Sequence, residues 1–450
     1  MIKNPSLKQN FKQNSKKIIG IAVPSGLNSL LDITNVMIGL FMLSKLSSYH
    51  IVAVGLGLNF FMFLYSLCNI LFVGTNVQIS RLYGSGNFDG IKEVLSSMFF
   101  GSLLLSIPVY LLTNSLHKSY FDWIIDDPIS QILGEAFLGI ILISIPALLA
   151  KTILISAFAA IGDTKRPFII KIVITFINLS LNYILIFGVF FEKLDIVGMA
   201  VSNLFVSYLE LLILLILLFR GKVPLGIKYF LCFKIVKKGL VVGFPTGVER
   251  ILTIGSLVLI SKFVALYGSD YLAGLQIGTR IEAFSYMPGF GFLIASMTLV
   301  GQYIGANKKE CIKELMYTSI IIASIFMCVM GFIMTIGSRY LSSIFSSNED
   351  IIYSSMMYLI CVGISQIPLV LIFIFDGAFR GAGATKTSLY INTTSIWLLR
   401  IFPMYVCVKF QLSIVLIYVI ILVETFIRGL VFLVVFNKFF DRLFVSKSLT

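Results

Sequence analysis

The sequence predicts an all-α integral membrane protein with twelve transmembrane helices in two six-helix halves. Three observations lead there. Hydrophobic residues make up 58% of the 450-residue chain and charged residues only 12%, with a mean hydropathy of +0.99. A soluble domain carries roughly 25% charged residues. Apolar runs recur from end to end, each long enough to cross a hydrocarbon core of about 30 Å as a helix, which takes about 20 residues. Finally, one offset of 221 residues runs through the chain. Pro24 returns as Pro245, Gly84 as Gly305, Ile91-Lys92-Glu93 as Ile312-Lys313-Glu314, and Gly162 as Gly383.

The spans fall in order. Six lie near residues 17–43, 50–79, 94–114, 130–160, 167–191 and 195–219. Six more lie near 239–266, 271–303, 315–337, 351–379, 387–408 and 412–437. The runs are continuous rather than alternating, which excludes a strand-built barrel. The first begins after a polar tail and is too long for a signal peptide, so it is expected to stay as a membrane helix. The repeat sets the expected organisation: an N-lobe over 1–219, a linker over 220–238 and a C-lobe over 239–450. Duplicated membrane units mark transporters whose substrate site lies between the two repeats.

The net charge of +14 reflects topology rather than nucleic-acid binding. The N-terminal tail (Lys3 to Lys17), the even-numbered loops, the linker (Arg220 to Lys238) and the C-terminal tail (Lys438 to Lys447) carry 23 of the 35 Lys and Arg. The opposite loops carry six, among them Lys45, Lys118 and Lys193. Such a bias places the basic side, and both termini, in the cytoplasm. The linker mixes lysines with Tyr229, Phe230 and Phe233, which suits either an amphipathic interfacial segment or a plain tether. No phosphate-binding Gly-x-x-x-x-Gly-Lys-Ser/Thr loop is present, so energy for pumping would come from an ion gradient. Six cysteines without a Cys-x-x-Cys pair argue against disulfides and metal sites. His50 and His117 stand isolated in expected outer loops. Neither a catalytic constellation nor a cofactor motif emerges, and a monomer is expected.

Two blocks carry a resemblance. Arg280-Ile281-Glu282-Ala283-Phe284-Ser285-Tyr286-Met287-Pro288-Gly289-Phe290-Gly291, followed by Leu299-Val300-Gly301-Gln302-Tyr303-Ile304-Gly305-Ala306, resembles the eighth-helix signature of MATE (multidrug and toxic compound extrusion) transporters. The paired loops Gly162-Asp163-Thr164 and Arg380-Gly381-Ala382-Gly383-Ala384-Thr385 resemble the family's Arg-Gly-x-Gly-Asp-Thr element, although Ala384 replaces the second aspartate. The resemblance implies two lobes related by pseudo-two-fold symmetry. It also implies export of amphipathic, often cationic compounds against H⁺ or Na⁺ entry, without a cofactor, in the inner membrane of a prokaryote.

A carboxylate at the bilayer centre costs about 2.5–3.5 kcal/mol on insertion scales, so each one needs a reason. Asp32, eight residues after Pro24, has no basic residue within a helical turn in sequence. It fits either an ion-coupling carboxylate or a group solvated by a water-filled cleft. In the resemblance it matches the first-helix aspartate of the DinF-like branch. Asn178 and Asn182 share a helix face and, with Asn203, match a polar cluster around that aspartate. The alternative reading is a helix-packing amide ladder. Asn182 stands where relatives often carry Asp, which weakens a Na⁺ site and tilts the reading toward H⁺. In the NorM branch the second-lobe coupling acids fall where this chain has Thr253 and Leu369; Glu249 lies one turn away. Glu210 receives no role. Asp376 with Arg380, and Glu424 with Arg428, have i,i+4 ion-pair spacing.

Asn59, Phe63 and Tyr65 of the second span, with Glu249, Glu282, Tyr286 and Met287, are the expected substrate-cavity residues. Aromatic faces bind cations and Met adapts to varied shapes. Pro24 is placed to bend the first helix, as the family's first helix does on protonation. The competing function is a lipid-linked oligosaccharide flippase of the same superfamily. That reading wants unpaired cationic side chains in the membrane, and Lys151, Lys171 and Arg400 have no acid partner in sequence.

Overall fold

The computed structural model describes residues 5–189, 192–220, 224–228 and 230–440. Lys3, Tyr229 and Lys447, named above, lie outside them. The first half forms α1 (Pro5–Ser44), α2 (Ser48–Gly84), α3 (Phe88–Ile124), α4 (Pro128–Leu142), α5 (Ile145–Ala160), α6 (Lys165–Phe187) and α7 (Asp195–Arg220). The second forms α8 (Phe233–Ala265), α9 (Ser269–Gly305), α10 (Cys311–Ile336), a short α11 (Ser338–Ser343), α12 (Glu349–Ile364) and α13 (Gln366–Gly381). It ends with α14 (Thr385–Thr394), a π-helical segment (Ser395–Ile401), α15 (Phe402–Lys409) and α16 (Ile414–Phe440). By length and composition, up to 11 of these are apolar spans when each bent pair counts once. The remaining long helix, α8, carries Glu249 and Arg250 in its middle and completes twelve.

The fourth and tenth spans are broken, where single helices over 130–160 and 351–379 were expected. The α4 and α5 axes meet at 50°, and those of α12 and α13 at 56°. Pro146 and Pro368 explain both, because a proline lacks the N–H that would continue the ladder across the joint. By contrast, α1, α8 and α9 remain helical through Pro24, Pro245 and Pro288. The third span is far longer than 94–114. At 37 residues, or about 55 Å at 1.5 Å per residue, α3 overshoots the hydrocarbon core. His117 is therefore buried within that helix rather than standing in an outer loop, its Nδ1 2.6 Å from the Asn114 carbonyl oxygen.

Helix starts follow capping rules. The Asn87 side chain accepts from Gly90 N–H at 2.9 Å, and Asp127 accepts from Ser130 N–H at 2.9 Å ahead of Pro128. Hydrogen bonds from the Ser130 hydroxyl and backbone hold the Asp127 carboxyl below the usual carboxylate range.

The repeat is visible in the backbone. Gly162 and Gly383, 221 apart, have φ of 87° and 73°, and Gly86 and Asn307 have 74° and 56°. The bend positions Ser144 and Ser365 are separated by the same interval.

The chain divides into two compact units, Asn28–Phe244 and Met1–Leu27 with Pro245–Thr450. The lobe boundaries expected from the repeat cut at the linker, whereas the compact units cut inside α1 and α8. Glycine contacts account for the difference. Within the unit holding α9, a Cβ on Gly291 would lie 2.1 Å from the Ala22 carbonyl oxygen. Within the other, a Cβ on Gly243 would lie 2.0 Å from that of Ile70. Ala22 and Gly243, and likewise Ile70 and Gly291, are 221 apart, so each half's first helix makes the same backbone-close contact. Each unit has its own apolar core, one around Leu71, Phe121, Phe137 and Phe158, the other including Val264, Leu359 and Tyr418.

Candidate functional site

Two polar groups occupy the Asn28–Phe244 unit. In the first, Lys171 of α6 sits between two carboxylates. Its Nζ is 2.5 Å from Asp32 Oδ1 of α1 and 3.8 Å from Glu210 Oε1 of α7. The other Glu210 oxygen accepts from Lys151 Nζ of α5 at 2.7 Å. The Asp32 side chain is 56% exposed, while Lys171 and Lys151 are 13% and Glu210 4% exposed. Two acids and two lysines thus balance in charge, with only the acid of α1 open. Asp32 has a partner after all, and so do Lys151 and Lys171. Sequence alone hid these partners because they come from four helices.

The second group is the asparagine ladder. Asn182 Nδ2 donates to Asn178 Oδ1 at 3.0 Å, and Asn178 Nδ2 to Asn203 Oδ1 at 3.2 Å. Asn203 Nδ2 donates to the Met199 carbonyl oxygen at 2.8 Å, and the Ser202 hydroxyl bonds Asn182 Oδ1. Every amide oxygen in the ladder already accepts a bond. The expected single cluster around Asp32 resolves into two groups about two helical turns apart. Lys171 precedes Asn178 by seven residues on α6. On α1, Gly39, seven beyond Asp32, approaches Met199, whose carbonyl oxygen accepts from Asn203: a Cβ there would lie 2.6 Å from Met199 Cε.

A longer network occupies the other unit. Arg380 Nη2 donates to Glu249 Oε1 at 2.8 Å and to Asp376 Oδ2 at 2.7 Å, and its Nε donates to Asp376 Oδ1 at 2.9 Å. Asn392 Nδ2 donates to Glu249 Oε1 at 2.9 Å, and Arg428 Nη1 reaches Asn392 Oδ1 at 3.5 Å. Arg428 Nε is 3.2 Å from Glu424 Oε1, and Arg400 bonds the other Glu424 oxygen. Both i,i+4 pairs therefore form, and each arginine–acid pair also gains a cross-helix member. Arg400 lies in the π-helical segment, an irregularity that often marks functional sites.

The repeat relates the two networks. Asn392 is the mate of Lys171 at 221. Buried positions of α7 recur in α16 at a spacing of 218, as in Ile196 and Ile414, Met199 and Ile417, Leu214 and Phe432, and Leu218 and Phe436. That register makes Arg428 the mate of Glu210. The first half thus reads acid, lysine, acid across α1, α6 and α7. The second reads acid, amide, arginine across α8, α14 and α16, its acid Glu249 standing one turn before Thr253, the mate of Asp32 at 221.

Among the expected cavity residues, Asn59, Phe63 and Tyr65 are exposed on α2. Tyr65 stands within electrostatic range of Asp32, Lys171 and Glu210. On α9, Glu282 bonds the Tyr358 hydroxyl, and the Tyr286 ring meets Phe373 edge-on at 5.0 Å. Met287 is half-buried beside Tyr286. Glu249 is buried and engaged by Arg380 and Asn392.

A family model described as MatE matches residues 24–184 and 245–406. The chain is 26% identical to the "Probable multidrug resistance protein NorM" of Thermotoga maritima, covering 92% of this chain and 90% of that protein. It is 23% identical to the protein of the same name from Pasteurella multocida, covering 86% and 85%. A solved outward-facing multidrug resistance MATE family transporter of the MOP superfamily superposes with a TM-score of 0.90 at 17% identity, over 99% of each chain. The two matched segments fall one in each half of the repeat and take in most of the networks described above. The chain belongs to the MatE family of membrane transporters and is not an enzyme.

Proposed function

We propose that this protein is a cation-coupled antiporter that exports amphipathic, often cationic small molecules by alternating access. It works as a monomer in the inner membrane of a prokaryote, with both termini cytoplasmic and H⁺ or Na⁺ as the coupling ion. Relatives named for multidrug resistance support the substrate class. The observation that carries the coupling is the half-open Asp32 carboxylate held by Lys171 at 2.5 Å.

In this reading the ionised Asp32 is the group that a coupling cation reaches first. Neutralising it frees Lys171, lets α1 bend near Pro24 and contracts the space in which a cationic substrate is held. The exposed faces of Asn59, Phe63 and Tyr65 offer amide and aromatic contacts to an amphipathic cation. The asparagine ladder holds α6 against α7 while α1 moves. The flippase alternative wants unpaired membrane cations, but Lys151, Lys171 and Arg400 each meet a carboxylate.

The test compares Asp32→Asn with Glu249→Gln in proteoliposomes under separately imposed pH and Na⁺ gradients. Asp32→Asn should abolish gradient-driven export while the protein still folds, since Lys171 keeps Glu210. Glu249→Gln should retain more transport, because Arg380 keeps its two bonds to Asp376. Export at the wild-type rate by Asp32→Asn, at matched reconstitution, would sink the reading. Equal loss in both variants would move coupling to the second network.

A further inference from the structure

We infer that Lys171 is a tethered cation that occupies the cation position at Asp32 and thereby excludes Na⁺, leaving the proton as the ion that can enter. The inference rests on the reading of Asp32 as the coupling carboxylate and names the ion that this site accepts.

Three features of the geometry carry it. An ammonium nitrogen 2.5 Å from Asp32 Oδ1 already fills the position that a hard cation would need. A second cation on the same carboxylate would stand about 4 Å from it. At an effective dielectric constant of about 20, that repulsion weakens binding on the order of a hundred- to thousandfold. Hard cations also require several oxygen ligands; the asparagine ladder offers none, and Asn35 Oδ1, one turn along α1 and without a hydrogen-bond partner, adds only one. Asn178, Asn182 and Asn203 bond one another and lie about two turns away. A proton asks for less: one lone pair on the exposed side of Asp32.

The groups facing Lys171 are few. Asp32 comes from α1, Tyr65 from α2 and Glu210 from α7, with Lys151 of α5 reached only through Glu210. In the step we infer, a proton adds to an Asp32 carboxylate oxygen and the hydrogen bond from Lys171 Nζ breaks. Lys171 keeps its own protons and turns to Glu210 Oε1, 3.8 Å away. No covalent bond forms other than the new O–H of Asp32. The cluster passes from balanced charge to one excess positive charge. That excess repels a cationic substrate from the same face, so proton entry and substrate release are linked through Lys171. In the second half the mate of Lys171 is Asn392, which carries no charge and has no cation to hand over.

Binding of ²²Na⁺ to the purified protein at pH 8 tests this. Wild type should show no saturable Na⁺ binding. Lys171→Gln should gain saturable binding at least about tenfold tighter than any seen in wild type, and adding Asp32→Asn should remove it. Lys171→Arg should keep Na⁺ out, because the charge remains. Saturable Na⁺ binding by wild type that disappears in Asp32→Asn would overturn the inference, and so would folded Lys171→Gln that gains none. If Lys171→Gln does not fold, the wild-type and Lys171→Arg measurements still decide. Loss of transport in Asp32→Asn combined with wild-type Na⁺ binding at Asp32 would end this inference alone. Unimpaired transport in Asp32→Asn would end the coupling reading beneath it.

Discussion

Glu210 shows how buried charge is tolerated in this protein. It is 4% exposed and lies between two lysines, one at 2.7 Å and one at 3.8 Å. Removing one partner of a buried pair leaves an uncompensated charge, which costs about 3–5 kcal/mol. Glu210→Gln should therefore destabilise the folded protein by about that amount, read as a lowered melting temperature in detergent. Asp32→Asn should cost less, because Asp32 is more than half exposed and Lys171 retains Glu210. Replacing the pair together, as Lys151→Met with Glu210→Leu, should recover most of the lost stability, since an apolar pair needs no desolvation. A double variant no more stable than Glu210→Gln would show that these lysines do something other than neutralise Glu210.

Helix packing depends on glycines at close approaches. A Cβ on Gly198 of α7 would lie 2.7 Å from the Leu185 backbone of α6. Backbone cannot swing aside as a side chain can, so Gly198→Ala should cost about 1–3 kcal/mol. Gly55 of α2 has nothing within 4 Å of its would-be Cβ. There Ala should stabilise by up to about 1 kcal/mol, because it loses less backbone entropy in a helix. Melting temperatures of the two variants should move in opposite directions; movement in the same direction would contradict the packing described for α6 and α7. The bends at Pro146 and Pro368 belong to this scale too. The prolines were visible in sequence, but which of them breaks a helix and which is absorbed, as Pro24 is, was not.

Across the whole molecule, the charge bias predicts an orientation. In a cysteine-free background, a cysteine at the exposed Asp126 should label from outside the cell. One at Lys237, exposed at the start of α8, should label only from the cytoplasm. The reverse pattern would invert the topology. At this scale most of the architecture was legible: twelve spans, their order and the duplication all follow from apolar run length and the 221-residue interval. The ion pairs were not. Lys151, Lys171 and Glu210 come from three helices, and Asp32 from a fourth, so the separations of the paired groups in sequence, 39 to 139 residues, carry no signal that they meet.

What the amino-acid sequence determined by itself was the solvent and the plan. Runs of some twenty apolar residues commit the chain to lipid and to helices, since only these satisfy the backbone there, and the basic bias gives them an expected orientation. Asn178 and Asn182 could also be read as a ladder from their i,i+4 spacing, whereas Asn203 joined them only through the family resemblance. Only the tertiary structure decided the partners. It joined Asp32 to Lys171 rather than to the asparagines, because seven residues on a helix are about 10.5 Å of rise, beyond the reach of any side-chain hydrogen bond. It also set Glu210 and Arg428 in equivalent places with opposite charge, a reversal that becomes readable once buried positions align α7 with α16. Charge that must leave water seeks the nearest opposite charge in space, and that neighbour is chosen by packing.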